Sequence, residues 1–99
     1  MKIGALEAGG TKMVMGIFDE EGHLLEDKRI PTRPPAETIP EMIGFFQEKG
    51  IEKLGIGTFG PVDLRPDSPD FGTITATPKL DWRNYPLYTV LREALSVPC

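Results

Sequence analysis

Apolar residues recur along the chain with two different periods, and the switches between them mark its elements. Residues 2 to 8, "KIGALEA", and 12 to 18, "KMVMGIF", are short apolar runs separated by Gly9, Gly10 and Thr11. That composition predicts a β-hairpin whose turn calls for positive φ. "DEEG" at residues 19 to 22 is a second turn signal, a solvated charge triplet, and "HLLEDKRI" after it can pair antiparallel with the second run. A three-stranded meander follows. From Thr38 the period lengthens, with Ile39, Met42, Ile43 and Phe46 on one helical stripe that Gly50 ends. Thr38 and Glu41 have capping-box spacing, which would put Pro40 harmlessly in the first turn; a start nearer Pro35 would leave Pro40 inside the helix to bend it.

Residues 53 to 63, "KLGIGTFGPVD", read as a buried strand entering a glycine and proline loop, with glycines that let other backbone approach closely. Residues 64 to 84 form a long excursion with at most a brief strand at "TITATP". A second helix is expected from about Tyr85, capped by Asn84, with Leu87, Val90, Leu91 and Ala94 on one face. "SVPC" at the end has the look of a new strand cut off at its start. The order predicts an α/β fold, a three-stranded antiparallel meander leading into a mixed sheet that both helices cover.

Composition changes this picture little. In 99 residues, 39% apolar and 26% charged make one ordinary globular core, and ten prolines and eleven glycines punctuate many short elements. A net charge of -4 with interspersed signs argues against nucleic acid as a partner. Cys99 is the only cysteine, so no disulfide framework or Cys-x-x-Cys metal site can form within the chain. The start is too short and too polar for a signal peptide or membrane span, and a cytoplasmic protein with no membrane partner is the expectation.

The chemistry gathers near the start. Within six residues stand the carboxylate of Glu7, the Gly9–Gly10 pair, the hydroxyl of Thr11 and the ammonium of Lys12. Tight glycine turns hold phosphates on exposed N–H groups, and a carboxylate orients hydrated Mg²⁺. A glycine pair is also simply a good hairpin turn, and both readings stand on these residues alone. The Walker spacing is absent.

"EAGGTK" at residues 7 to 12, "GIGTFGPVD" at 55 to 63 and "TATPKLDW" at 75 to 82 together resemble, in order and separation, the amino-terminal part of a ROK-family sugar kinase of the fructokinase branch. The resemblance implies a ribonuclease-H-like lobe of the actin and sugar-kinase superfamily over residues 1–99. It implies nucleotide-phosphate contacts from Gly9, Gly10, Thr11 and Lys12, and a metal-side acidic residue, Glu7, for a Mg-ATP cofactor. It also implies a sugar pocket bordered by Gly60, Pro61, Val62, Thr77, Pro78 and Lys79.

The implied reaction is phosphorylation of a hexose by ATP, fructose to fructose 6-phosphate, in a cytoplasmic homodimer. The family's catalytic Asp lies in a "DxNxAA"-like motif ending the strand that begins at Val97. Neither that motif, the zinc-binding His and Cys segment, nor the second lobe is present in this chain. No catalytic residue is therefore assigned, the remainder of the kinase chain is an expected partner, and the lobe alone is expected to be inactive, to bind nucleotide weakly and to self-associate.

Two other functions compete. One is a nucleotide- or sugar-binding module without catalysis. The other is a ROK-type regulator, against which the position of Met1, directly before the first strand, argues. Asp63, Asp70 and Asp81 are read as structural or solvated, His23 as an exposed strand residue with no second His or acidic partner at metal spacing, and Trp82 and Tyr85 as packing over the second helix.

Overall fold

Strand β1 (Lys2–Ala8) takes the central place in the computed structural model, which describes residues 1–75, 77 and 79–99. It pairs antiparallel with β2 (Lys12–Asp19) and parallel with β4 (Ile51–Thr58), while β3 (Leu24–Pro31) pairs antiparallel with β2. The sheet order is β3-β2-β1-β4. Side chains alternate as strand geometry requires: Leu6 and Ala8 of β1 with Met13, Met15 and Ile17 of β2 are buried, whereas Glu7 is exposed. On β3 only Ile30 is buried, and Leu24 and Leu25 remain 54% and 52% exposed.

The parallel pairing of β1 with β4 needs a crossover, and α1 (Pro35–Gln47) supplies it. Phe46 packs on the sheet over Gly4, where a Cβ would lie 3.1 Å from Phe46 Cε1 and 2.9 Å from Ile51 Cδ1. Gly4 is thus the gap that lets helix and sheet close. Thr38, Ile39, Met42, Phe45 and Phe46 are buried and Ile43 half-buried, so the expected stripe is present and widened by Phe45.

The start of α1 differs from the capping-box reading. Pro34 is the N-cap and Pro35 opens the helix, a position where its missing N–H does no harm. Thr38 lies a turn further in. Its hydroxyl accepts from the Arg33 N–H and donates to the Arg33 carbonyl, both at 3.0 Å. Pro40 therefore sits inside the helix and offers no N–H to the carbonyl of Ala36. Gly50, at φ +66°, turns the chain from the helix towards β4, as its residue type suggests.

The excursion from β4 holds no further strand among the described residues, only the bridges Val62–Ile74 and Ile74–Tyr85 and a 3-10 turn at Leu80–Trp82. Helix α2 (Leu87–Leu95) starts two residues later than the sequence suggests, after Pro86. Asn84 is not its cap; it takes a left-handed turn at φ +63°. Leu87 and Leu91 enter the same core, beside α1. Trp82 is buried, but it packs edge-on against Phe59 and Tyr85, and its indole N–H donates to the carbonyl of Arg33 at 3.0 Å. The anchor is thus the entry to α1 rather than α2.

The tail runs along the outer edge of β4, where the Leu54 N–H donates to the Pro98 carbonyl at 2.9 Å. No strand is formed there; a single ladder-like bond stands where the sequence pattern placed a strand start. The expected close approach of backbone at the β4 glycines is also missing: a Cβ on Gly55 would meet nothing within 4 Å, and one on Gly57 only the Leu6 carbonyl oxygen at an ordinary 3.9 Å. Among the described residues no helix is long and apolar enough to cross a membrane.

The contact of Phe46 with Gly4 predicts that Phe46→Ala lowers stability by about 3–5 kcal/mol, the usual effect of removing a buried phenyl group. Ile43→Ala, at a half-buried position of the same helix, should be milder. Urea denaturation followed by circular dichroism measures both.

Candidate functional site

Three chain segments meet beyond the carboxyl ends of β1 and β4. The first is the loop of Gly9, Gly10 and Thr11. The Gly9 N–H donates to the Lys12 carbonyl at 3.0 Å, closing the loop on itself. Neither glycine has positive φ, contrary to the sequence expectation; the glycines that do are Gly22, Gly50 and Gly72. Gly9 is needed for a different reason: a Cβ there would lie 2.7 Å from the Lys12 carbonyl oxygen. Close approach, not handedness, excludes a side chain.

The second segment is the exit of β3. The Thr32 N–H donates to the Thr11 carbonyl at 2.9 Å, and the Thr32 hydroxyl donates to the Gly9 carbonyl at 2.6 Å. Thr32 is therefore a clamp on the loop that sequence reasoning missed. Nothing in its local composition signals the role, because its partners lie across the hairpin. Phe59, just past β4, adds an N–H to the Ala8 carbonyl at 2.8 Å.

With the Gly9 and Thr11 carbonyls held this way, the loop leaves donors free. The N–H groups of Gly10 and Thr11 meet no acceptor among the described residues, and Thr11 and Lys12 are exposed. Glu7 ends the open side of β1, across from Val14 and beside Gly57 in register. It lines a groove of about 330 Å³ on the sheet face away from α1, together with Val14, Phe18, Asp27 and Arg29. No cation lies within ion-pair distance of Glu7 among the described residues. Backbone donors, a hydroxyl and an ammonium thus stand at the loop, while the carboxylate of Glu7 opens on the groove beside β1, which no residue of the loop lines. Such a set can receive an anion and, through Glu7, a hydrated cation.

The third segment is the excursion. Pro61 follows a cis peptide bond after Gly60, and its carbonyl accepts from the Thr75 N–H at 2.8 Å and the Thr75 hydroxyl at 3.2 Å. Thr77 is only 1% exposed, and its hydroxyl oxygen accepts the Lys79 N–H at 3.2 Å, so this group faces into the fold. Pro78 lies outside the described residues. Lys79 is exposed, and its Cε stands 3.8 Å from the position of a Cβ on Gly10. Of the residues grouped by sequence as sugar-facing, Lys79 therefore reaches over the open space beside Gly10.

Asp63 is structural, as its surroundings in the sequence suggest. Its carboxylate takes Arg65 Nη2 at 2.9 Å, Arg65 Nε at 3.1 Å, the Arg65 N–H at 3.0 Å and the Ser68 hydroxyl at 2.6 Å. The Arg65 guanidinium, then Ser68 and the Arg65 N–H, hold the carboxyl well below the usual carboxylate range. Asp70 and Asp81 are exposed. His23 is exposed, as read, but is not a strand residue. It stands in the turn before β3, and acidic partners face its Nδ1, Asp19 at 3.1 Å and Glu21 at 3.8 Å. No group of three or more His, Cys, Asp or Glu among the described residues is arranged to hold a metal ion.

Known proteins resemble the chain over nearly its whole length. The sequence pattern described as ROK family matches residues 3–99. A fructokinase of Lactococcus lactis subsp. cremoris is 43% identical over 95 residues, covering 96% of this chain and 33% of that protein. A ROK family glucokinase from Streptomyces griseus, solved in complex with glucose and AMPPNP, superposes with a TM-score of 0.73 at 30% identity. The match covers 99% of this chain and 31% of that one. A ROK hexokinase from Thermus thermophilus gives a TM-score of 0.68 at 32% identity, over 99% of this chain and 32% of its own. The chain spans about a third of the length of the relatives it matches.

The two glycines should respond differently to substitution. Gly9→Ala forces a side chain against the Lys12 carbonyl and should lose about 1–3 kcal/mol. Gly10→Ala meets only ordinary contact and should stay within about 0.5 kcal/mol of the parent. Thermal melts compare them directly. For Asp63 the folded pKa is depressed, so its contribution is complete above the unfolded carboxylate value of about 3.9 and is lost as pH falls through the folded one. Melting temperature should fall as the pH drops below about 4. Asp63→Asn should be less stable at neutral pH and show a flatter acid limb.

Proposed function

The chain belongs to the ROK family, and from that membership we propose that residues 1–99 are the amino-terminal, ATPase-like lobe of a two-lobed sugar kinase. The reaction proposed for the whole protein is transfer of the ATP γ-phosphoryl group to the 6-hydroxyl of a hexose, fructose in particular. The observation that carries this reading is the pair of free N–H groups at Gly10 and Thr11, followed in the chain by the exposed Lys12 and preceded on β1 by the exposed Glu7. The fructose assignment leans on the fructokinase of Lactococcus lactis, whereas the glucokinase of Streptomyces griseus supports sugar phosphorylation in the coarser sense.

Phosphoryl transfer asks a protein chiefly for positioning and charge stabilisation. In this lobe the N–H groups of Gly10 and Thr11 would hold phosphate oxygens without reorganising, because Thr32 and Phe59 already fix the loop carbonyls. Lys12 adds charge at the rim. Glu7 fits a magnesium ion, which is usually held by one or two carboxylates together with waters and phosphate oxygens, and the ion would neutralise charge on those oxygens. Gly60 and Pro61, across the excursion, would border the acceptor sugar. The base that takes the hydroxyl proton would come from the remainder of the protein.

The test is turnover by the full-length protein with ATP, Mg²⁺ and a panel of hexoses, read as ADP release and sugar phosphate. We expect the highest kcat/KM with fructose, no turnover by residues 1–99 alone, and a loss of about 10²-fold in kcat for Glu7→Gln. A preference for glucose would discard fructose and keep the kinase; ATP binding with no transfer to any hexose would leave a binding module instead.

A further inference from the structure

We propose that Lys79 acts on the phosphate side of the site, as the residue that holds the phosphoryl group in transit, rather than as a sugar contact. The inference rests on the phosphoryl-transfer reading and assigns a role within it. Its first support is position. Lys79 Cε is in van der Waals range of the space above Gly10, and the ammonium is the next atom along the side chain. The N–H groups of Gly10 itself and of Thr11 beside it have no acceptor among the described residues. An anion seated on them comes within reach of Lys79.

The second support is how firmly the backbone of Lys79 is held. Its N–H donates to the buried hydroxyl of Thr77 at 3.2 Å, and its carbonyl accepts from the Trp82 N–H at 2.9 Å. Trp82 is 1% exposed and is tied in turn to Arg33. A long, flexible side chain is thus launched from a fixed base towards the loop. Charge is the third support. Lys79 has no carboxylate within ion-pair distance among the described residues, and neither have Lys12, Arg33 or Arg83. Arg83 donates instead to the Thr77 carbonyl at 3.2 Å. Lys79 is thus an exposed cation whose charge is not spent on a carboxylate among the described residues, although Asp81 is exposed two residues on.

A neutral hydroxyl gains from an ammonium a hydrogen bond but no attraction between opposite formal charges, which a phosphoryl oxygen adds. A phosphoryl oxygen gains a charge-assisted bond, roughly twice as strong as a neutral one. Lys79 also arrives from the excursion that begins at Gly60 and Pro61, whereas Lys12 follows the loop along β2. The two cations therefore approach the loop from different segments, one leading to the nucleotide side and one to the acceptor side. The group that passes between those sides is the terminal phosphoryl.

Lys79→Met and Lys79→Arg in the full-length protein test this, with melting temperature as the check on folding. For Lys79→Met we expect AMPPNP affinity to fall about tenfold or more while ADP affinity changes little, kcat to fall by at least as much, and KM for the sugar to stay within about twofold. Lys79→Arg should restore most of the loss. A raised sugar KM with unchanged kcat and AMPPNP affinity would overturn the proposal in favour of a sugar contact; no change in any of these would make Lys79 a solvated side chain. If the parent protein transfers phosphate to no hexose, the kinase reading fails by itself. Titration with tripolyphosphate then still decides whether Lys79 holds phosphate: weaker binding by Lys79→Met supports it, and equal binding overturns it.

Discussion

The parallel pairing of β1 with β4, in register from Ile3–Lys53 to Ala8–Thr58, is the constraint on which the rest of this structure depends. Two consecutive antiparallel hairpins could have folded as a meander with nothing behind it. A parallel partner for β1 instead demands a crossover, which α1 makes, and the crossover brings Phe46 down on Gly4. The same pairing aligns the carboxyl ends of both strands. Loops leaving that edge are forced into one region, so that Phe59 meets Ala8 and the excursion starts beside the glycine loop. Ligand sites in open α/β sheets form outside such strand ends for this reason.

A second constraint fixes how the excursion returns. Buried Trp82 carries a donor that needs a partner, and the carbonyl of Arg33, 49 residues earlier, provides it. The bond ties the 3-10 turn to the entrance of α1, and the two edge-on contacts with Phe59 and Tyr85 fill the space around it. The network of Asp63 with Arg65 and Ser68 performs a comparable task nearer the start of the excursion. The segment is long and nearly free of regular structure, yet each end is held by a buried polar group with its partners in place.

Much of this was legible in the residues because it is local. Period two in "KIGALEA" and "KMVMGIF", the helical stripe from Ile39 to Phe46 and the stop at Gly50 each depend on neighbours a few positions away, and they appear within a residue or two of the reading. The failures have physical causes of two kinds. At α1 one local rule defeated another: the Pro34–Pro35 pair starts the helix, and Thr38 turns its hydroxyl back to Arg33 instead of capping. Elsewhere the decisive partner was distant. Thr32 reaches Gly9 over 23 residues, and no window along the chain holds both.

The Gly9–Gly10 pair shows what distance adds. On composition the pair implied a turn of left-handed backbone, and that geometry is not there. What requires glycine at position 9 is the carbonyl of Lys12, drawn in by the Gly9 N–H and closing the loop. Thr32 then takes the carbonyls of Gly9 and Thr11. A hairpin loop normally presents a mixture of donors and acceptors, which would both attract and repel an anion. Here the acceptors at positions 9 and 11 are engaged from behind, which leaves the N–H groups of Gly10 and Thr11 and, among the described residues, the Gly10 carbonyl as the open backbone groups of the loop. The turn and the anion-ready loop are thus one construction, and the residue that separates their charges is Thr32.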